Sequence, residues 1–112
     1  RLLRLLPGEF DDPVECQLIT YELNKAPDYE PISYAWGDLT DTCEIICNRL
    51  PHFITINLFQ ALRRFRRMQP RLLWADNICI DQKSNLEKNH QVAFMKEIYE
   101  HGYRTLVWLG EE

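Results

Sequence analysis

The sequence predicts an α/β sandwich built on a mainly parallel central sheet, with a β-hairpin and edge strand added on its N-terminal side. Three observations predict it. The segments run in the order strands, helix, strand, helix, strand. The later strands are continuously apolar, which is how strands covered on both faces read. The two helical stretches each carry a start signal and an apolar face at helical spacing.

Each element is justified in turn. Pro7–Pro13 is rich in turn residues, and Val14–Leu23 then alternates as a strand suited to a sheet edge. Asn24–Pro31 breaks the pattern with two prolines, and Ile32–Trp36 is a buried strand stopping at Gly37-Asp38. Asp41–Asn48 and Phe53–Ile56 form a hairpin around Asn48-Arg49-Leu50-Pro51, where Pro51 requires an edge position. Asn57, with Gln60 three residues on, caps a helix whose face is Leu58, Ala61, Leu62 and Phe65 and which ends before Pro70. Arg71–Asp76 is the next strand and Asn77–Lys83 the loop after it. Ser84 and Glu87 make a capping box for a second helix, carrying Val92, Met95, Ile98 and Tyr99 and closed by Gly102. Thr105–Leu109 is the last strand.

Composition bounds the function. The 112 residues, 46% hydrophobic and 27% charged, make one folded unit with a single core. Thirteen Lys and Arg against 17 Asp and Glu leave a net charge of −4, against the basic footprint of a nucleic-acid binder. No apolar run reaches the roughly 20 residues of a membrane span, and the start lacks the apolar core of a secretion signal, so a cytoplasmic location is expected. The first residue is not Met and the last strand ends the chain, which suggests a C-terminally truncated piece of a longer protein. Cys16, Cys43, Cys47 and Cys79 are expected to be reduced. Cys43 and Cys47 with His52 suggest zinc, but positions four apart on a strand are separated by about 13 Å, so no metal is expected.

One helix carries a basic cluster: Arg63, Arg64, Arg66 and Arg67, with Arg71 just beyond. It is either a solvated face with cations suited to the last turn or a partner-docking surface formed by Arg63, Arg64 and Arg67.

Several blocks occur in order. They are Ser33-Tyr34-Ala35-Trp36-Gly37-Asp38, Asn57-Leu58 with Ala61-Leu62-Arg63, Leu73-Trp74-Ala75-Asp76-Asn77-Ile78-Cys79-Ile80-Asp81-Gln82, Glu87, Gln91-Val92, Met95, Ile98-Tyr99 and Val107-Trp108-Leu109-Gly110. In this order and spacing, over about residues 29 to 110, the chain resembles the fungal heterokaryon incompatibility (HET) domain. It departs from the family pattern at Ala75, where an aliphatic residue is usual, and at Asp81, where Asn is usual. The resemblance implies a cell-death effector in fungal non-self recognition, attached to sensor or nucleotide-binding modules and acting after self-association. It also implies a distant TIR-like, flavodoxin-like fold. Some TIR domains cleave NAD and others are self-associating scaffolds, so the resemblance implies either an NAD hydrolase that needs no cofactor or a non-enzymatic scaffold. An unrelated protein-binding adaptor is the alternative outside the family.

In open α/β sheets, ligands bind beyond the carboxyl ends of the parallel strands, which points to Gly37-Asp38, Asp76-Asn77 and Gly110-Glu111. Cleaving a nicotinamide–ribose bond needs a carboxylate near developing positive charge, so Asp38, Asp76 and Glu87 are the candidates. By resemblance to TIR enzymes Glu87 is the first catalytic candidate; Asp76, at a strand end, is the second, and Tyr34, Trp36, Asp38, Trp74, Asn77 and Gln82 are expected to shape the ligand site. Each also has a structural reading. Glu87 fits a capping box, Asp76 an acceptor for loop amides, Asp38 an Asx turn, and the tryptophans a core. Cys79 with His90 or His101 is a weaker nucleophile pattern, because isoleucines flank the thiol. The four scattered glycines build no phosphate loop.

Overall fold

The computed structural model describes residues 1–22, 25–79 and 95–110. These form a seven-stranded sheet with helices on both faces. The elements are β1 (Leu2–Leu5), β2 (Glu15–Ile19), β3 (Glu30–Tyr34), β4 (Thr42–Cys47), β5 (Leu50–Thr55), α1 (Ile56–Phe65), β6 (Arg71–Trp74), α2 (Asp76–Cys79), α3 (Met95–His101) and β7 (Leu106–Trp108). The sheet order is β5-β4-β2-β1-β6-β3-β7.

The α/β class agrees with the sequence, and two features of the sheet do not. The sheet is mixed rather than mainly parallel: β2–β4, β3–β6 and β3–β7 pair parallel, while β1–β2, β1–β6 and β4–β5 pair antiparallel. The cause is β1, a four-residue strand at the centre of the sheet and antiparallel to both neighbours. Leu2, Leu3 and Leu5 are buried, and Arg4 donates to Gln17, the residue it faces across the ladder, at 3.1 Å. A strand covered on both faces needs apolar residues on both sides, so Leu-Leu-Arg-Leu shows no alternation by which to recognise it. As a result β2, expected at an edge, lies inside the sheet between β1 and β4.

The β4–β5 hairpin does occupy an edge. Asn48 and Arg49 make its turn, both in the left-handed region (φ 51° and 66°), the backbone of a type I′ turn. Pro51, which has no N–H to donate, falls on β5, the outer strand.

The chain passes straight from β5 into α1. Thr55 is the cap, its hydroxyl accepting from Leu58 N at 3.4 Å, so Asn57 is the second helical residue and not the cap. The helix stops at Phe65 because Arg66 turns extended (φ −61°, ψ 137°). The Arg66 guanidinium donates to the carbonyls of Glu9, Phe10, Asp12 and Pro13 and ties the β1–β2 loop to the end of α1.

Alternation along β6 puts Arg71 and Trp74 on opposite faces. Arg71 meets Phe65 of α1, and Trp74 packs edge-on against Tyr99 of α3 at 5.6 Å, so the two helices cover opposite faces. Gly102, directly after α3, lies against the Pro31 ring, where any side chain would collide. Its φ is not positive, so Gly102 serves close packing rather than a left-handed helix cap.

Candidate functional site

Strands β6, β3 and β7 are neighbours and mutually parallel, so their carboxyl ends open on one rim. Beyond β3 comes the loop Ala35–Asp41, beyond β6 the single turn α2, and beyond β7 Leu109-Gly110. Of the residues the sequence grouped there, Gly37-Asp38, Asp76-Asn77 and Gly110 follow these strand ends, and Glu111 lies outside the described residues.

Trp36 and Asp76 meet there. The indole N–H of Trp36 donates to Asp76 Oδ1 at 2.9 Å, and both side chains are half-buried. Asp76 opens α2 rather than ending a strand, because β6 stops at Trp74 and the Ala75 carbonyl already accepts from Cys79 N at 2.8 Å. Asn77 lies in the same turn, so a helical turn begins where a loop was expected.

A pocket of about 270 Å³ lies between the ends of β3 and β7, lined by Ser33, Tyr34, Ala35, Asn57 and Val107 through Gly110. Its walls are largely apolar. Trp108 stands edge-on to Phe65 of α1, ring centres 6.0 Å apart. Asn57 reaches in from the first turn of α1 and donates through Nδ2 to the Ala35 carbonyl at 3.1 Å. Gly37 allows this approach. At φ +72° it occupies the left-handed region, and a Cβ there would stand 2.5 Å from Asn57 Nδ2.

The remaining candidates fall elsewhere. Asp38 is exposed, and its Oδ1 accepts from Thr40 N at 2.9 Å and Thr40 Oγ1 at 2.6 Å, which lowers its carboxyl below the usual range. Trp74 is 1% exposed and belongs to the core. Glu87 and Gln82 lie outside the described residues, as do Ser84, Asp81 and His90. Cys79 is buried, its sulfur accepts from Ala75 N at 3.4 Å, and burial pushes its thiol up to about 12, so it stays protonated and is a poor nucleophile. All four cysteines are free; Cys16 and Cys47 face each other across β2 and β4, and burial raises both thiols. Cys43 and Cys47 both fall within the unbroken strand β4.

The arginines divide. Arg63 is half-buried, its guanidinium 4.1 Å from the ring centre of Phe10 and 5.1 Å from that of Phe59. Arg64 and Arg67 are exposed. Arg71 leaves the cluster altogether and pairs with Glu30, Nε to Oε1 at 2.6 Å and Nη2 to Oε2 at 3.1 Å. Arg104 adds a third contact to Glu30 Oε2 at 2.5 Å.

Sequence reasoning missed Glu30 and the role of Asn57. Glu30 had a readable signal, because a carboxylate starting a buried strand needs a cation beside it. Asn57 had none, since its position suits a cap equally well.

The fold and rim define an α/β domain with a mixed sheet and a tryptophan-held aspartate at the ends of its parallel strands. The family described as heterokaryon incompatibility protein (HET) matches residues 29–112. Heterokaryon incompatibility protein 6, OR allele, of Neurospora crassa is 37% identical over 125 residues, covering 98% of this chain and 18% of that protein. The chain belongs to the heterokaryon incompatibility family. It spans less than a fifth of the length of that relative. No solved structure matches it.

Proposed function

We propose that this domain is the cell-death effector of a fungal non-self incompatibility protein, and that it acts at the strand-end rim by hydrolysing NAD after self-association. The observation that carries the reading is the Asp76 carboxylate, held by Trp36 beyond the carboxyl ends of parallel strands. Breaking the nicotinamide–ribose bond releases neutral nicotinamide and leaves positive charge on the ribose; water then adds and a proton departs. A fixed carboxylate stabilises that charge. The pocket of about 270 Å³, whose lining includes neither Trp36 nor Asp76, sits at the small end of ligand sites and suits one ring, with the rest of a dinucleotide on the open rim. Glu87, the first catalytic candidate by resemblance to TIR enzymes, is retained along with Asp76, as are the TIR-like relation, the cytoplasmic location and the attached sensor or nucleotide-binding modules.

A second reading is a non-enzymatic scaffold. It is favoured by β7, an edge strand of the described sheet, whose Val107 is 59% exposed and is followed by Leu109 at 93%. The test is NAD consumption by the clustered domain beside its Asp76→Asn and Glu87→Gln variants, with killing scored in fungal cells. NAD loss confined to the wild type supports the enzyme. Killing with intact NAD pools overturns it in favour of the scaffold.

A further inference from the structure

We infer that Asn57 is the positioning residue of the strand-end rim, a latch on α1 that sets the Trp36 indole on the Asp76 carboxylate. Trp36 lies in an irregular loop whose other residues, Ala35 and Gly37–Asp41, are all exposed, so packing alone does not fix its course. Inside the loop Asp38 binds Thr40, and Asp41 N donates to the Asp38 carbonyl at 3.1 Å, which stiffens the far half. That half is anchored where Ile56 N donates to the Asp41 carbonyl at 3.0 Å.

The near half, which carries Trp36, is anchored through Asn57. Its amide holds the Ala35 carbonyl on one side of Trp36 and lies against the Cα of Gly37 on the other. The two residues flanking Trp36 are thus fixed by a single side chain, and both anchors sit on the first two residues of α1. Asn57 suits the task chemically, because its short side chain brings one amide nitrogen both to the Ala35 carbonyl and close beside Gly37. The rotation of the indole about its own bonds is then limited by the Asp76 bond at 2.9 Å.

The inference rests on the rim as the working site, but its test needs no substrate, so the two fail separately. The chain is labelled with ¹⁵N-tryptophan, giving three indole N–H resonances that Trp→Phe variants assign. Asp76→Ala marks where the Trp36 resonance goes when its acceptor is removed. Asn57→Asp keeps the size of the side chain, replaces the donor with an oxygen facing the Ala35 carbonyl, and places a carboxylate in the first turn of a helix, where it is favoured.

In Asn57→Asp the Trp36 resonance is expected to move toward its Asp76→Ala position. Trp74 and Trp108 should stay in place, with the folded spectrum kept. Gly37→Ala, pressing on the same amide from the other side, is expected to move the same single resonance. An unmoved Trp36 resonance in Asn57→Asp overturns the latch. So does movement of all three, or loss of the folded spectrum, since Asn57 would then be a general folding residue.

Discussion

The indole of Trp36 and the carboxylate of Asp76, 40 residues apart in sequence, share a hydrogen bond of 2.9 Å that joins the loop after β3 to the turn after β6. The bond aligns one side of the carboxylate and ties its position to that of the loop. Charge and bond are separable by mutation. Asp76→Asn keeps an acceptor for Trp36 and removes the charge, so we expect a folded protein weakened by about 1 kcal/mol, with NAD turnover and killing abolished. Asp76→Ala leaves the indole donor without its partner and is expected to cost about 1–3 kcal/mol. Chemical denaturation of the two variants beside NAD assays separates the effects, and turnover that survives in Asp76→Asn rules out the charge as the working group.

A second prediction concerns pH. Glu30 is 12% exposed and held by Arg71 first, with Arg104 adding to it, so its carboxyl falls from 4.5 to about 2 despite a burial that opposes the shift. A carboxyl lowered by folding stabilises the fold fully above its unfolded value and loses that contribution as pH falls through the folded one. The shift is worth on the order of 3 kcal/mol, lost between about pH 5 and pH 2. Glu30→Gln should be the weaker protein near neutrality, with a flatter stability curve across that window. Denaturant melts at several pH values check the slope, and parallel curves for the two proteins would contradict the ion-pair account.

What the sequence disclosed follows from the kind of signal each feature leaves. The β4–β5 hairpin was legible because Asn48-Arg49 and Pro51 are local constraints, and α1 because its apolar residues recur at one spacing. The central strand β1 was not, because four residues buried on both faces carry neither alternation nor length. The expectation of a mainly parallel sheet failed with it, since the antiparallel centre is made by that strand. At the site, the rim was legible from strand ends alone. The partners of its residues were not: Trp36 meets Asp76, and Arg71 meets Glu30, through registers that no local pattern encodes.

A third prediction separates two glycines of positive φ. At Gly37 (φ +72°) a methyl group meets both the left-handed backbone cost and the Asn57 amide 2.5 Å away. At Gly110 (φ +106°) it meets no atom of the described residues within 4 Å, which leaves the backbone cost. We expect Gly37→Ala to destabilise by about 2–4 kcal/mol and Gly110→Ala by about 1–2 kcal/mol. Thermal melts of the two variants decide it; equal losses would mean that the Asn57 contact is soft.

The last prediction divides the arginine helix, whose four cations read alike in sequence and are employed differently in the fold. Arg66 is 8% exposed and donates to four loop carbonyls, so Arg66→Met strands those acceptors and frees the β1–β2 loop. A loss of about 3 kcal/mol is expected from the broken bonds to a charged group. Arg63, stacked on Phe10 and Phe59, is worth about 1–2 kcal/mol, and Arg63→Glu forfeits it. Arg64 and Arg67 are exposed, so charge reversal there should leave the unfolding free energy within about 0.5 kcal/mol of wild type. The double variant Arg64→Glu, Arg67→Glu is therefore the clean probe of partner docking. Reduced assembly by light scattering at unchanged stability makes that face an interface, and unchanged assembly makes it a solvated surface. The same reversal at Arg63 answers neither question, because it perturbs the fold first.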